Sequence, residues 1–432
     1  MPNQSDTAST QTIPDAACTV CGCVCDDLAI TVQGDRIVEA NGACELAQPW
    51  FAQQNTLNVH PVTHRGVPID WMEGIQQAAD ILRSVRYPLI YGLSRSSTEG
   101  QRAAVELADA IGACIDTTAS EGHAASILAL QETGESTCSL GEVRNRSDLV
   151  VFWGADPVRT HPRHLERYSL FPTGQYLSRG RDDRTLIVID SERTATAELA
   201  DLFVQIPRGR DLEALWTLRL LIKGMEPRSG SDTGVPISVL EDLAQRLKSC
   251  RYGIAFFGYG LARQPLGHRI VEALLRLTIE LNAFTRFQAR RLRVLGNVSG
   301  ADNVLCWQTG FPFAVNLSRG YPRYNPGEYS AAELLARGEP DAALLVGSDR
   351  VERFSAAGLR HLARIPTILL DHAAAQPLWS PTLRFNTAVY GVHRPGVAYR
   401  MDDVPIPLRP VLPCGLATDA EVLTAILGRM GM

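Results

Sequence analysis

The sequence contains very little lysine and no long apolar run. Only Lys223 and Lys248 are lysines, so arginine carries almost all of the positive charge. No apolar stretch approaches the roughly 20 residues that a membrane-spanning helix needs, which excludes a helical integral membrane protein. The first 17 residues, MPNQSDTASTQTIPDAA, lack both a basic start and an apolar core. We therefore expect no signal peptide and a cytoplasmic location, where thiols stay reduced.

Several nucleotide-binding and catalytic motifs are also missing. There is no GxxxxGK[ST] loop, no GxGxxG directly after a strand and no GxSxG elbow. These absences exclude a P-loop enzyme, a standard dinucleotide fingerprint and an α/β-hydrolase nucleophile. A net charge of −5 and a pI of about 6.0 give no basis for nucleic-acid binding through bulk charge. The 45% hydrophobic composition is that of a globular protein.

Cysteine, in contrast, is concentrated near the start of the chain. Cys18, Cys21 and Cys25 follow a C-x2-C-x3-C pattern, with Cys23 inside it and Cys44 further on. The apolar runs Leu28–Val32 and Arg36–Glu39 flank Gly34–Asp35 and predict a hairpin, which would return Cys44 to the first thiols. Four converging thiolates suit an iron–sulfur cluster or a zinc ion. The alternative is a set of unliganded or disulfide-bonded thiols. The other five cysteines are scattered, which does not favour a disulfide framework.

Apolar strands alternate with helices along the rest of the chain, which predicts an α/β protein with two doubly wound lobes. The predicted strands are Pro88–Gly92, Asp148–Gly154, Thr185–Asp190, Phe203–Ile206, Tyr252–Phe257, Asp341–Gly347 and Ile365–Asp371. The predicted helices are Ile69–Arg86, Gln101–Gly112, a segment around Thr194–Leu202, Leu212–Lys223, Ser238–Lys248 and His268–Leu281. Asp211 is expected to cap the helix that follows it.

Glycines and charged side chains follow several of these strands. Gly154, Gly209 and the Gly258–Gly260 turn allow an anionic cofactor at the carboxyl ends of the strands. Asp190 lies at a strand end. It is either a hydrogen-bond acceptor for a ribose or a guanine edge, or an acid in the N-cap region of a following helix. His161 and His164 favour packing or anion binding over a metal. The segment 296–331 shows little periodicity, which predicts a long irregular loop that is functional or an interface.

Long motifs resemble one family. The leader CTVCGCVCDD, the segment GEVRNRSDLVVFWGADPVRTHPRH, the loop WQTGFPFAVNLSRGYPRYNPGEYSA and AYRMDDVPI are similar to the B subunit of formylmethanofuran dehydrogenase, from about Cys18 to Pro410. That family belongs to the molybdopterin oxidoreductases. The resemblance implies a [4Fe–4S] cluster and a tungsten or molybdenum bis-pterin guanine dinucleotide, which together reduce carbon dioxide to formate. A neighbouring subunit condenses the formate with methanofuran.

The resemblance also assigns residues. Cys18, Cys21, Cys25 and Cys44 match the cluster ligands. The turn Trp153–Pro157, with Gly154 and Asp156, then Asp190, and the turn Arg208–Asp211, with Gly209 and Asp211, match the segments that meet the pterin dinucleotide.

The sequence departs from the family at the metal. Active relatives have a segment similar to VCHGPSILALQ, whose cysteine binds the metal. Here Gly122 stands at the cysteine position, while His123 and Ser126 still match. Glycine has no ligating side chain, so we expect the redox chemistry and the metal pterin to be lost. The alternative is an active dehydrogenase that uses Glu121 or His123 as a ligand.

Loss of the metal ligand resembles the bacterial branch of the family, the B subunit of the formyltransferase/hydrolase complex. In that complex a formyl group passes from formyl-tetrahydromethanopterin to a methanofuran-like carrier and is hydrolysed to formate. The resemblance implies amidohydrolase-like, β-helical and formyltransferase partner subunits, no membrane or nucleic-acid partner, and a scaffold role for this chain. The expected organisation is a disordered leader (1–17), a cysteine-rich β segment (18–60), one α/β lobe (61–140 with 296–432) and a second α/β lobe (141–295), without a C-terminal pterin barrel.

Overall fold

The structure, a computed structural model, describes residues 9–55, 59–227 and 232–431. It divides into two compact units. The first unit contains the residues up to Glu121 and those from Leu295 onward, and the second unit is Gly122–Val294. None of the described helices is both long enough and apolar enough to cross a membrane.

Strands and helices alternate along most of the chain. The strands in chain order are β1 (Thr10–Ala16), β2 (Leu28–Gln33), β3 (Arg36–Asn41), β4 (Val62–His64), β5 (Val67–Pro68), β6 (Pro88–Gly92), β7 (Cys114–Thr117), β8 (Leu149–Trp153), β9 (Thr185–Asp190), β10 (Leu202–Gln205), β11 (Tyr252–Phe257), β12 (Arg286–Arg291), β13 (Val315–Asn316), β14 (Arg323–Tyr324), β15 (Ala342–Val346), β16 (Thr367–Asp371), β17 (Leu383–Asn386), β18 (Gly396–Tyr399) and β19 (Pro405–Leu408). The helices are α1 (Ala47–Ala52), α2 (Trp71–Ser84), α3 (Thr98–Ile111), α4 (Ala119–Gly122), α5 (Ala124–Thr133), α6 (Leu140–Arg146), α7 (Pro157–Thr160), α8 (Asp211–Ile222), α9 (Ile237–Ser249), α10 (Tyr259–Ala262), α11 (Gly267–Leu281), α12 (Val298–Thr309), α13 (Ala331–Arg337), α14 (Ala356–Leu362) and α15 (Asp419–Met430).

The main sheet of the first unit has the order β14-β13-β7-β6-β15-β16-β17-β4-β5. Its central strands, from β7 to β17, are parallel, and antiparallel strands flank them. Helices α2, α3, α12 and α15 contribute apolar side chains to the core beside this sheet. Strands β6, β15 and β16 are fully buried, as expected for continuous apolar runs in a sheet that is covered on both faces.

The sheet of the second unit has the order β10-β9-β8-β11-β12, and all of its pairs are parallel. Strand β8 comes first in the chain and lies in the middle. The chain then builds β9 and β10 on one side and β11 and β12 on the other. The core packs α8, α9 and α11 against this sheet. The α/β class predicted from the sequence is confirmed.

The hairpin predicted within the cysteine-rich segment is also present. Strands β2 and β3 pair antiparallel, and Gly34 adopts a φ of +62° in the turn between them. Strand β1 pairs with β2, so residues Thr10–Ala16 of the expected disordered leader are part of a sheet. Residues 1–8 of that leader lie outside the described residues.

Two other predictions are wrong. No helix spans Thr194–Leu202; a short 3₁₀ turn at Ala197–Leu199 leads into β10. The Asp201 carboxylate accepts a hydrogen bond from the backbone N–H of Leu186 on β9, which draws this segment into the sheet. The segment 296–331 is not irregular throughout, because it contains α12 and the strands β13 and β14. Helix α12 was missed because Val298–Leu305 is buried almost continuously, so its sequence lacks a polar stripe at helical spacing.

Candidate functional site

The carboxyl ends of the parallel strands in the second unit form one edge of the sheet. The connections from β8 to β9 and from β11 to β12 leave this edge in opposite directions along the sheet, so a crevice opens between β8 and β11. Open α/β sheets bind their ligands in a crevice of this kind. A cavity of about 650 Å³ lies here.

The residues that the resemblance assigns to a cofactor line this cavity together. Gly154, Asp156, Asp190, Gly209 and Asp211 all belong to its wall, although more than 50 residues of sequence separate the first from the last. Further lining residues are Ser191, Glu192, Arg208, Tyr259, Gly260, Arg263 and Gln264. The sheet topology thus brings the three predicted segments to one place.

Glycine is required where the turn after β8 meets the turn after β11. Gly154 has a φ of +56°, and its carbonyl accepts a hydrogen bond from the Gly260 N–H at 3.0 Å. A Cβ on Gly154 would lie 3.0 Å from the Gly260 carbonyl carbon, so a side chain there would separate the two turns. Close backbone contact between these two turns shapes the floor of the cavity.

Asp211 does not cap α8, contrary to the prediction from sequence. The cap position is Arg210, and no side chain there accepts from the helix. The Asp211 carboxylate instead accepts hydrogen bonds from Trp153 Nε1 at 2.8 Å and from Gln264 Nε2 at 2.7 Å. Asp211 and Trp153 are both buried, and buried polar groups need hydrogen-bond partners. The Asp211 carboxylate therefore pairs with the indole N–H rather than with the backbone N–H groups of α8. Asp211 therefore ties β8 and the segment after α10 to the start of α8.

The other two cavity aspartates are tied into turns. Asp156 accepts hydrogen bonds from the backbone and hydroxyl of Thr196, and Asp190 Oδ1 accepts the Ser191 N–H at 2.7 Å. No helix starts directly after Asp190, so it acts as the acceptor of a tight turn. Burial raises the pKa of Asp190.

Among the described lining residues, acidic side chains outnumber basic ones. Asp156, Asp190, Glu192 and Asp211 face Arg208 and Arg263 around the cavity. This balance provides acceptors for ribose hydroxyls or a guanine edge. Phosphate groups would depend on the two arginines and on backbone N–H groups.

Tyr259 fills the space beside the expected metal-ligand position. A Cβ built on Gly122 would lie 2.6 Å from the Tyr259 hydroxyl oxygen and 2.9 and 3.0 Å from two of its ring carbons. Arg263 stacks on the same ring at 3.9 Å, and the His123 ring lies 5.0 Å away. A metal ligated from position 122 does not fit this arrangement. Tyr259 was not singled out from the sequence, because a tyrosine between two glycines gives no signal for the direction of its ring.

The two residues that still match the family motif serve the local backbone. His123 is buried beside Tyr259, and Ser126 Oγ donates to the His123 carbonyl oxygen at 2.8 Å. Ser126 therefore fixes the first turn of α5. Glu121 lies in the short helix α4.

The cysteine-rich segment of the first unit is compact and reduced. Cys18, Cys21 and Cys25 are buried, Cys44 is half-buried, and the Cys18 N–H donates to the Cys25 carbonyl at 2.7 Å. Burial, and then the charges of Cys21, Cys25 and Cys44, raise the pKa of the Cys18 thiol. A hydrogen bond with Cys23 lowers the pKa of Cys21. Within the described ranges, no three His, Cys, Asp or Glu side chains are arranged to hold a metal ion.

His161 and His164 belong to the core of the second unit. Burial lowers the pKa of His161 to about 4 and that of His164 to about 3, so both rings are neutral near pH 7. His161 Nε2 donates to the Arg293 carbonyl at 2.7 Å. The His164 ring packs edge-on against Phe256 at 4.6 Å. The sequence favours packing or anion binding over metal binding for these two histidines, and their buried positions match packing.

Two known proteins are similar to this chain over nearly its full length, and a third is similar over about two thirds of it. The chain is 38% identical over 427 residues to the B subunit of the tungsten-containing formylmethanofuran dehydrogenase 2 of Methanocaldococcus jannaschii, covering 97% of this chain and 98% of the relative. Identity to the protein of the same name from Methanococcus maripaludis is 35%, covering 96% of this chain and 97% of the relative. The B subunit of the formyltransferase/hydrolase complex of Methylorubrum extorquens is 26% identical over 66% of this chain and 74% of its own length. No family model matches the chain.

Solved structures share the fold. A chain of the M. extorquens formyltransferase/hydrolase complex, solved with methylofuran, superposes with a TM-score of 0.71 at 24% identity, covering 85% of this chain and 98% of that chain. Acetylene hydratase from Pelobacter acetylenicus superposes with a TM-score of 0.69 at 12% identity, covering 96% of this chain and 69% of its own. Together with the sequence identities of 38% and 35% over nearly the whole chain, these findings show that the chain belongs to the family of formylmethanofuran dehydrogenase B subunits.

Proposed function

We propose that this chain is a non-redox structural subunit of a cytoplasmic formyltransferase/hydrolase complex in tetrahydromethanopterin-linked one-carbon metabolism, on the route from formaldehyde to formate. The observation that carries the proposal is the contact between Gly122 and Tyr259. The position that the family uses for its metal ligand has no side chain, and the phenol of Tyr259 occupies the adjoining space.

Formyl transfer and hydrolysis then belong to partner subunits of formyltransferase, amidohydrolase-like and β-helical type. This chain contributes a folded scaffold. The cavity of the second unit supports that role, because the aspartates Asp156, Asp190 and Asp211 accept hydrogen bonds from the protein's own groups. We infer that these aspartates connect the turns at the strand ends and do not hold a metal pterin.

The cysteine-rich segment is proposed to retain a [4Fe–4S] cluster. The resemblance assigns it to Cys18, Cys21, Cys25 and Cys44, which are thiol donors of the type that such clusters need, although no three of the described side chains are arranged around one metal position. A cluster in a non-redox subunit would stabilise the small segment around β2 and β3.

The second candidate is an active tungsten or molybdenum dehydrogenase subunit. The observation in its favour is the higher identity and wider coverage of the tungsten-containing relatives, 38% over 97% of the chain against 26% over 66% for the complex subunit. It requires a substitute ligand such as Glu121 or His123. The position of the His123 ring against Tyr259 argues against that use.

Elemental analysis of the natively and anaerobically purified complex distinguishes the two. We expect iron at about four atoms per chain, no tungsten or molybdenum, no extractable pterin and no viologen-linked formate oxidation. Tungsten or molybdenum with pterin would establish the dehydrogenase instead. For the cluster, Cys18→Ser should lose iron, whereas Cys306→Ser, a substitution of an exposed cysteine outside the segment, should keep it. Equal iron in both variants would remove the cluster proposal.

A further inference from the structure

A second large cavity lies in the first unit, on one face of strands β4 and β17. These strands pair antiparallel, with Arg384 opposite Thr63 and Phe385 opposite Val62. Val62, Leu383 and Phe385 belong to the apolar core. Side chains alternate along a strand, so Thr63, Arg384 and their neighbours Arg65, Thr382 and Asn386 lie on the other face. All five line a cavity of about 890 Å³.

The walls of this cavity combine polar and apolar groups. One wall is the segment Ala363–Pro366, and the other comes from the loop between β16 and β17. The second wall contributes Gln376 and Ser380 as hydrogen-bonding groups and Pro377 and Trp379 as apolar surface. The volume falls in the range of about 300–1,000 Å³ that is typical of small-molecule sites.

The charge of the cavity is one-sided. Arg65, Arg364 and Arg384 line it, and the described lining residues include no aspartate or glutamate. Arg65 and Arg364 are exposed and have no ion-pair partner among the described residues. In a chain whose net charge is −5, these two arginines and the half-buried Arg384 form a local positive region.

The floor of the cavity is held rigidly and carries unsatisfied polar atoms. Arg384 Nη2 donates to the carbonyl oxygens of His372, Ala373 and Ala375 at 3.0–3.2 Å. Its Nε is buried without an acceptor, whereas the buried Asn386 Oδ1 lacks a donor, which an oxyanion group does not supply. Burial lowers the pKa of Arg384, because the charged form loses hydration. A bound anion would restore part of that lost stabilisation.

We propose that this cavity binds a small organic oxyanion with at least two carboxylate or phosphate groups. Arg65 and Arg364 at the walls contact the oxyanion groups, and Arg384 supplies positive charge from the floor. The planar guanidinium fork suits carboxylate and phosphate equally well. Trp379 and Pro377 contact the carbon skeleton, which is why an organic anion fits better than an inorganic ion. The proposal holds for either function considered above.

Titration calorimetry on the full-length chain tests it, with citrate as the carboxylate probe and pyrophosphate as the phosphate probe. We expect saturable one-site binding of at least one probe, weaker at high ionic strength. The better probe identifies the preferred oxyanion. Sodium sulfate at equal ionic strength controls for unspecific screening and should not compete.

Single substitutions locate the site. Arg65→Gln and Arg364→Gln should each weaken binding about tenfold, and Arg364→Lys should lose less because it keeps the charge. Arg360→Gln is the matched control, since Arg360 is exposed on α14 and does not line the cavity. Thermal unfolding without probe checks that each variant is folded. No saturable binding of either probe, or equal affinity in all of these variants, would overturn the proposal.

Discussion

The Tyr259 hydroxyl oxygen lies 2.6 Å from the position that a Cβ atom on residue Gly122 would occupy. Contacts below 3 Å between such atoms do not occur without movement, and Arg263 and His123 also pack against the ring. Glycine at position 122 and tyrosine at position 259 are therefore structurally coupled. Replacement of one of them alone should disturb the second unit.

Gly122→Cys is expected to destabilise the protein by about 1–3 kcal/mol, because the added side chain overpacks against the Tyr259 ring. Tyr259→Ala in the same chain should recover most of this loss, giving a clear coupling energy in a double-mutant cycle of denaturant unfolding. Gly141→Cys on α6 is the control, since its Cβ would meet only Ser139 Oγ at an ordinary 3.5 Å. Additive effects of the two substitutions would show that the ring moves aside freely.

Asp211→Ala should destabilise the protein by about 1–3 kcal/mol, because it leaves the buried Trp153 Nε1–H without its acceptor and removes one of the two acceptors of the Gln264 amide. Chemical denaturation followed by tryptophan fluorescence measures this loss. Glu198→Ala removes a carboxylate from an ion pair between side chains that are 56% and 62% exposed, and should cost less than about 1 kcal/mol. Similar losses for both variants would contradict the role assigned to Asp211.

The buried histidines predict acid sensitivity. The folded-state pKa values of His161 and His164, about 4 and about 3, lie below the ordinary value of 6.5. Protonation therefore favours the unfolded chain, so their stabilisation is complete above about pH 6.5 and decreases as the pH falls toward 4. Each unit of pH over which one of these sites titrates only in the unfolded state costs about 1.4 kcal/mol.

His164→Phe should weaken this pH dependence, because phenylalanine fills the same space beside Phe152 and Phe256 without titrating. Between pH 7 and pH 4, the unfolding free energy of the His164→Phe variant should fall less than that of the unmodified chain. At the acid end the variant should be as stable as the unmodified chain or more stable. His60→Gln, at an exposed position, should leave the dependence unchanged. Parallel curves for His164→Phe and the unmodified chain would refute the assignment.

Arg319→Glu tests segment 296–331 as a partner surface. Arg319 is exposed, and Trp307 and Tyr321 in the same segment are 58% and 53% exposed. Charge reversal there should reduce co-purification of partner subunits without changing the unfolding temperature. Arg323→Glu is less informative, because Arg323 donates to Asn316 and Ser318 within its own segment. Arg102→Glu on α3, also exposed, is the control; equal recovery of partners from Arg319→Glu and Arg102→Glu would exclude this surface.

Several strands and the cysteine hairpin could be predicted from the sequence, because their patterns are local. The strands Pro88–Gly92, Thr185–Asp190 and Tyr252–Phe257 have the predicted bounds, because a continuous apolar run between turn residues suits a buried parallel strand. The cysteine hairpin followed from its glycine turn. Helix α12 was missed and the helix around Thr194–Leu202 was wrong, because both depend on burial against distant elements rather than on local periodicity.

The sequence alone determined the strand and helix alternation, the family and the absence of a ligating side chain at Gly122. Only the tertiary structure decided what occupies the neighbouring space, what Asp211 binds and which arginines meet in one cavity. Tyr259 and Gly122 are 137 positions apart, and Arg65 and Arg384 are 319 apart. No local propensity encodes such pairs. Sheet order and side-chain alternation bring them together, and close packing then allows one arrangement of their side chains.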